Sequence, residues 1–350
     1  MGSAAIVAGL GACVPLTVVT NHDLAARLDT DDEWIRTRTG IRQRQVVAPG
    51  EATGDLAVEA ARRALASAGT DTADAVVLAT STPDRLCPAT APHVASRLGL
   101  GNVPAFDVAA VCAGFVYALA TASGLIAMRA ADRVVVIGAD TFSTILDPDD
   151  RTTGAVFGDG AGAVVLRAGT DDEPGALLGL SLGSDGSRSD LMGIPGGGSR
   201  QRSTGLPIKE EETYFGMQGQ AVFTQAVRRM SASVQETVAR CGWRLADVDR
   251  FVLHQANARI LVAVARKLDV PVERFVTDIE RVGNTVAASV PLALVDGAVS
   301  GDLDPGHRVV LASFGGGLAW GSVALVWPRL GTVQAPALTD AAESYQSGAR

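Results

Sequence analysis

The chain has 350 residues, 47% hydrophobic and 19% charged, with a formal net charge of -8. That balance argues against general nucleic-acid binding, no apolar run reaches the roughly 18 residues of a membrane span, and the length exceeds one typical core, so two core-forming units are expected. Four widely spaced cysteines (Cys13, Cys87, Cys112 and Cys241) form no CxxC or metal pattern, and no signal peptide is read at the start, so the expectation is a reducing, cytoplasmic setting.

A first strand is expected over residues 4–10, ending at Gly9 and Gly11, then a helix over 21–28 with Asn21 or Asp23 as its N-cap. Trp34 follows among Arg36, Arg38 and Arg42. This mixture suits an ordinary amphipathic face. It suits equally a nucleotide, with the base on the ring and phosphates on guanidinium forks. A helix over 54–68 and a buried strand over 75–80 come next. An extended run over 103–111 then ends on Cys112, and Ala113 and Gly114 lead into an Ala-rich apolar helix over 115–128. A cysteine at a strand-to-helix turn meets free N–H groups and the positive end of a helix, which favour a thiolate nucleophile. A free cysteine more commonly packs as a small hydrophobe, so the rest of the chain must decide.

A buried strand is expected over 133–140. The Gly-rich piece Phe157-Gly-Asp-Gly-Ala-Gly162 precedes a strand rather than opening a helix, so it fits neither nucleotide-phosphate fingerprint. Its glycines read as letting a strand turn close to something. Residues 169–207 are polar and weakly periodic, a linker or loops on a binding face. A helix over 219–241, a strand ending at His254, a helix over 258–268 and a helix over 285–299 preceded by Asn284 follow. Strands over 307–314 and 320–327 flank the turn at 315–317, and the stretch 331–350 reads as a flexible tail.

The halves repeat. Asp74-Ala-Val-Val-Leu-Ala answers to Asp249-Arg-Phe-Val-Leu-His254, Cys112 with its helix to Asn284 with its own, and Arg133-Val-Val-Val-Ile-Gly-Ala to Arg308-Val-Val-Leu-Ala-Ser-Phe. Duplicated α/β halves, 1–175 and 176–330, would bring equivalent loop ends together. Cys112, His254, Asn284 and the triple-glycine turn would then converge, a cysteine with two polar partners and backbone N–H groups for an oxyanion.

These residues resemble the β-ketoacyl-acyl carrier protein synthase III family of thiolase-fold condensing enzymes. The similar pieces are Trp34-Ile-Arg-Thr-Arg38-Thr-Gly-Ile, Asp107-Val-Ala-Ala-Val-Cys112-Ala-Gly-Phe, Phe157-Gly-Asp-Gly-Ala-Gly, His254-Gln-Ala-Asn-Ala-Arg259-Ile, Gly283-Asn284-Thr and Phe314-Gly-Gly-Gly, in order along nearly the whole chain. The resemblance implies a thiolase-like fold of five layers, αβαβα. It implies a ping-pong reaction in which Cys112 takes an acyl group from acyl-CoA, and malonyl-acyl carrier protein then decarboxylates and condenses with it. The reaction starts fatty-acid or polyketide chains.

By the same resemblance, His254 and Asn284 complete the catalytic set, and the backbones of Cys112 and Gly316 form the oxyanion site. Trp34, Arg38 and Arg151 hold CoA, while Arg259, Arg228 and Arg229 dock the acidic carrier. No metal or other cofactor is implied, and the chain is expected as a homodimer with no nucleic-acid or membrane partner. Two positions depart from the family pattern. Cys87 stands where the commonest short-chain members have a phenylalanine that limits the partner subunit's acyl pocket, so a roomier pocket is expected. Thr224 stands where a carrier-docking lysine is often found. A pathway-specific starter enzyme or acyltransferase of the same fold, forming an ester, amide or carrier thioester without decarboxylation, is the alternative reading.

Overall fold

The computed structural model describes residues 4–339. In chain order its strands are β1 (Ala4–Pro15), β2 (Thr17–Thr20), β3 (Gln43–Val46), β4 (Ala75–Ala79), β5 (Ala105–Val108), β6 (Arg133–Asp140) and β7 (Gly160–Gly169). Then come β8 (Leu178–Ser184), β9 (Met192–Gly193), β10 (Gly216–Met217), β11 (Arg250–Leu253), β12 (Arg308–Gly315), β13 (Ala319–Val326) and β14 (Ala337–Thr339). Two sheets dominate, ordered β14-β1-β7-β6-β4-β5 and β11-β12-β13-β8. In the first, β4 and β6 run parallel, then β7 and β1 alternate antiparallel; in the second, β11 and β12 run parallel, then β13 and β8 alternate in the same way. The duplication is therefore literal at the level of strand direction, and β8 is the counterpart of β1.

The layers follow from which strand faces are apolar. β4, β6, β11 and β12 are buried throughout or nearly so, as expected of strands covered on both faces. Helices Gly114–Ala127 and Ser289–Ser300 lie between the sheets, and one core joins Phe115, Leu119, Leu292 and Val295 to Val77 and Val136 on one side and Val309 and Leu311 on the other. Helix Thr53–Ser67 covers the outer face of the first sheet, and helices Gly219–Arg240 and Ala258–Leu268 cover the second. That is the five-layered thiolase-like arrangement. No helix among the described residues is long and apolar enough to cross a membrane.

Four expectations are corrected. β1 does not stop at Gly9 and Gly11 but runs to Pro15, because those glycines admit a helix rather than a turn. A Cβ on them would lie 2.4 Å from the carbonyl oxygen of Ala64 and 2.3 Å from that of Ala60. Residues 169–207 are not all loop: β8 lies in that stretch, and its glycines reflect crowding, since a Cβ on Gly183 would meet the Trp320 ring at 2.6 Å. The short helix Asn21–Ala25 is capped by Thr20, whose hydroxyl accepts from Asp23 N, while Asn21 is buried and donates to Asp32 and Ile41 O. Part of the expected flexible tail is ordered, with Ala337–Thr339 pairing parallel to the free edge of β1, and residues 340–350 lie outside those described.

One buried carboxyl sets a pH effect. Asp278 is 3% exposed, one of its oxygens has no hydrogen-bond partner, and burial pushes its carboxyl up to about 7, with Asp296 adding and Arg281 opposing. The folded protein thus keeps a proton that the unfolded chain releases from about pH 4 upward, so this group costs stability as pH rises to neutrality. Asp278→Asn should gain, relative to wild type, on the order of 2 kcal/mol between pH 5 and pH 8. Denaturant titrations at the two pH values test this, and an equal difference at both would refute it.

Candidate active site

The site is built at two sharp turns, one from each half. After β5 the chain reaches Val111 at φ 47, a strained conformation for a β-branched residue, then turns through Val111–Ala113 into helix Gly114–Ala127. In the other half Val286 has φ 54, and Val286–Ala288 leads into Ser289–Ser300. The equal turns set the register: Cys112 corresponds to Ala287, so Asn284 is not the counterpart of Cys112 but stands three residues earlier. Cys112 is 8% exposed, at the entrance of its helix.

Asn284 is held from both sides by the Gly-rich piece: its N–H donates to Val156 O at 2.9 Å and its C=O accepts from Gly158 N at 3.0 Å. Its Oδ1 accepts from Val286 N at 3.0 Å. That leaves the Nδ2 donor for the cavity that Asn284 lines. The glycines do let a strand come close: a Cβ on Gly158 would lie 2.3 Å from Val282 O. Gly158→Ala should therefore destabilise the fold by about 2 kcal/mol and displace Asn284. An unchanged melting temperature in a calorimetric scan would show that the loop gives way at no cost.

His254 follows β11 directly, its N–H donating to Ala312 O at 2.8 Å. The ring is buried, Nδ1 has no hydrogen-bond partner, and burial pushes the imidazole down to about 3, so it is neutral. Cys112 moves in the opposite sense. Burial and then the Asp140 charge push its thiol up, while its own backbone N–H opposes this. Cys112 therefore rests as a thiol, not as the thiolate expected from the helix end alone.

Cys112, His254, Asn284 and Gly315 line one cavity of about 690 Å³. Gly316, next in the β12–β13 turn, packs within Cβ reach of Val111 and Met192. Arg38 and Arg259 are at the same cavity. Trp34 lies beside it, with the guanidinium groups of Arg38 and Arg151 over its ring at 4.9 and 5.5 Å, and Arg151 also pairs with Asp29 at 3.0 Å. Arg228 is exposed, whereas Arg229 pairs with Asp185 at 3.0 Å and stacks on Trp320 at 4.3 Å, so its charge is already engaged. Cys87 sits on an exposed loop and does not line this chain's cavity.

Sequence reading missed the apolar wall. Phe142, Phe157 and Phe215 meet with ring centroids 4.6, 4.9 and 5.5 Å apart and face the cavity beside Met192 and Met217. Phe215 and Met217 are isolated apolar residues near a polar stretch, a weak signal that became meaningful only with the fold.

Residues 106–186 match the family 3-oxoacyl-[acyl-carrier-protein (ACP)] synthase III, and residues 238–327 match its C-terminal family. The chain is 59% identical over 330 residues to β-ketoacyl-[acyl-carrier-protein] synthase III 5 of Streptomyces coelicolor, covering 94% of this chain and 99% of that one. Among solved structures, 3-oxoacyl-(acyl carrier protein) synthase III of Pseudomonas aeruginosa superposes with a TM-score of 0.89 at 54% identity, covering 94% of this chain and 100% of that one. A priming β-ketosynthase from a polyketide biosynthetic pathway superposes with a TM-score of 0.85 at 33% identity, covering 93% and 97%. With its cysteine, histidine and asparagine gathered at one cavity in that fold, the chain belongs to the 3-oxoacyl-[acyl-carrier-protein] synthase III family of condensing acyltransferases.

Proposed function

We propose that the protein joins an acyl-CoA starter to malonyl-acyl carrier protein through an acyl-Cys112 intermediate. What carries this reading is the convergence of Cys112, neutral His254 and Asn284 Nδ2 on one cavity with an apolar wall. In the first half-reaction Cys112 Sγ bonds to the acyl carbon, the CoA sulfur leaves, and the thiol proton ends on that sulfur. Charge developing on the acyl oxygen is met by the N–H groups of Cys112 and Gly316. In the second, malonyl-carrier thioester loses CO2, and the charge that moves onto its carbonyl oxygen is met by the His254 ring N–H and Asn284 Nδ2. The new carbanion attacks the acyl carbon, Cys112 leaves as thiolate and takes up a proton, and a 3-ketoacyl carrier protein departs. The chemistry needs no metal or redox cofactor.

Trp34, Arg38 and Arg151 hold the CoA nucleotide, with the Arg151–Trp34 stack opening to admit the adenine. Arg259 and Arg228, with exposed Arg266 and Lys267, supply the positive surface for the acidic carrier. Arg229 is left out, being paired. The halves 1–175 and 176–330 thus divide the labour, one giving the nucleophile and the other the two donors. The protein works as a cytoplasmic homodimer, and the exposed Cys87 loop reaches the partner's acyl pocket, leaving room for branched or medium chains.

Intact-protein mass spectrometry with a panel of acyl-CoAs, followed by malonyl carrier protein, tests the reading. The expected result is an acyl adduct that malonyl carrier protein discharges to a 3-ketoacyl product. An adduct that it cannot discharge would favour a pathway acyltransferase instead, and no adduct with any acyl-CoA would overturn the assignment of the nucleophile.

A further inference from the structure

The two turns differ in what stands opposite their first helical N–H. β6 ends at Asp140 and β12 at its counterpart Gly315, and each strand end faces the turn of the other half. Asp140 Oδ2 accepts from Ala287 N at 3.0 Å. A Cβ on Gly315 would lie 2.7 Å from Cys112 N, so any side chain there would crowd the N–H that meets the acyl oxygen. The carboxylate thus occupies, in the inert half, the place that an oxyanion would take in the reactive half. Gly138 makes the approach possible, since a Cβ there would lie 2.2 Å from Ala287 O.

We propose that Asp140 is a positioning residue, whose carboxylate seats the 284–287 turn so that Asn284 Nδ2 faces the cavity. This rests on the condensing reaction given above. The turn is pinned twice, at Ala287 N by Asp140 and at Val286 N by the oxygen of Asn284 itself. Releasing the first frees the second, and the amide can then rotate. Asp140 is fully buried, and its other oxygen accepts from Ser81 N at 2.7 Å, Thr82 Oγ1 at 3.0 Å, Thr82 N at 3.2 Å and Thr80 Oγ1 at 3.3 Å. Donors on both sides demand two acceptor oxygens, which an amide cannot supply.

Asp140→Asn should therefore separate the half-reactions. Discharge of a preformed acyl-Cys112 by malonyl carrier protein is expected to fall about a hundred-fold, the scale of a reacting group misplaced by about 1 Å. Acylation by acyl-CoA should stay at the wild-type rate or quicken slightly, because burial, the larger cause of the raised thiol, is unchanged and only the smaller contribution of the Asp140 charge has gone. A proportional loss of both half-reactions, as from general structural damage, would overturn the proposal, and so would no loss of either. If the variant does not fold, hydrogen exchange in the wild type decides. The Ala287 amide should be as protected as the interior of β6, and rapid exchange would overturn the role. Failure of the wild type to acylate would sink the condensing reading and this role together, whereas intact wild-type chemistry with no split in the variant would sink only this role.

Discussion

Cys112→Ala is expected to leave no acyl adduct with any acyl-CoA and to lower product formation by about 10⁴-fold or more, as when a covalent nucleophile is removed and only binding remains. Mass spectrometry of the incubated variant reads the adduct, and a carrier-bound product assay reads turnover. An adduct that survives the substitution would move the nucleophile elsewhere. The same residue carries a pH prediction. Burial and Asp140 both favour the neutral thiol, so the alkylation rate of the free enzyme should keep rising with pH and show no plateau near neutrality. The sign follows from the reactive species: the thiolate fraction grows tenfold per pH unit below the thiol's pKa. A plateau near pH 7 would mean that the helix end outweighs burial and that the enzyme rests as thiolate. In the proposed reaction, a rate that rises without plateau would mean that acylation draws on charge stabilised during attack, at the N–H groups of Cys112 and Gly316, rather than on a thiolate held in waiting.

Much of this was legible before the fold was seen, and the reason is the repeat. Cys112 and Asn284 each stand before an apolar helix, and His254 ends the run that repeats residues 74–79, so the likeness of the two halves raises all three above their ordinary structural roles. The helix expected over 258–268 is observed as Ala258–Leu268, its apolar stripe of Ile260, Leu261, Val264 and Leu268 buried and its start capped by Asn257. What stayed hidden depends on neighbours distant in sequence. The glycines of β1 and β8 read as breaks because the helix and ring that crowd them are contributed from elsewhere in the chain. Asn284 was matched to Cys112 because both precede an apolar helix, and only the positive φ of Val111 and Val286 shows the offset of three residues. Arg229 reads as a free charge until Asp185, 44 positions away, is found beside it. Asp140 looked like the end of a strand, since nothing local announces that its carboxylate reaches the turn of the other half.

Asn284→Ala and His254→Ala are expected to spare the first half-reaction and cripple the second. In the proposed reaction each removes one donor to the oxygen on which enolate charge develops, and loss of one such donor costs about 10²–10³-fold. Acyl-Cys112 should therefore accumulate in both variants and discharge slowly with malonyl carrier protein. The two losses should not simply add in the double variant, because one oxygen is served by both groups. His254 adds a test of charge. Its imidazole is pushed down to about 3 by burial, so it stays neutral, with one N–H to donate, across the range in which an ordinary histidine titrates. Condensation measured on preformed acyl-enzyme should show no inflection near pH 6.5 that His254→Ala removes. Such an inflection would mean that an imidazolium does the work. The stabilisation would then come from a full positive charge rather than from a dipole, and the buried neutral ring would be the resting form only. Acylation lost in His254→Ala but kept in Asn284→Ala would instead assign the imidazole to the thiol proton, and the two donors would cease to be a matched pair.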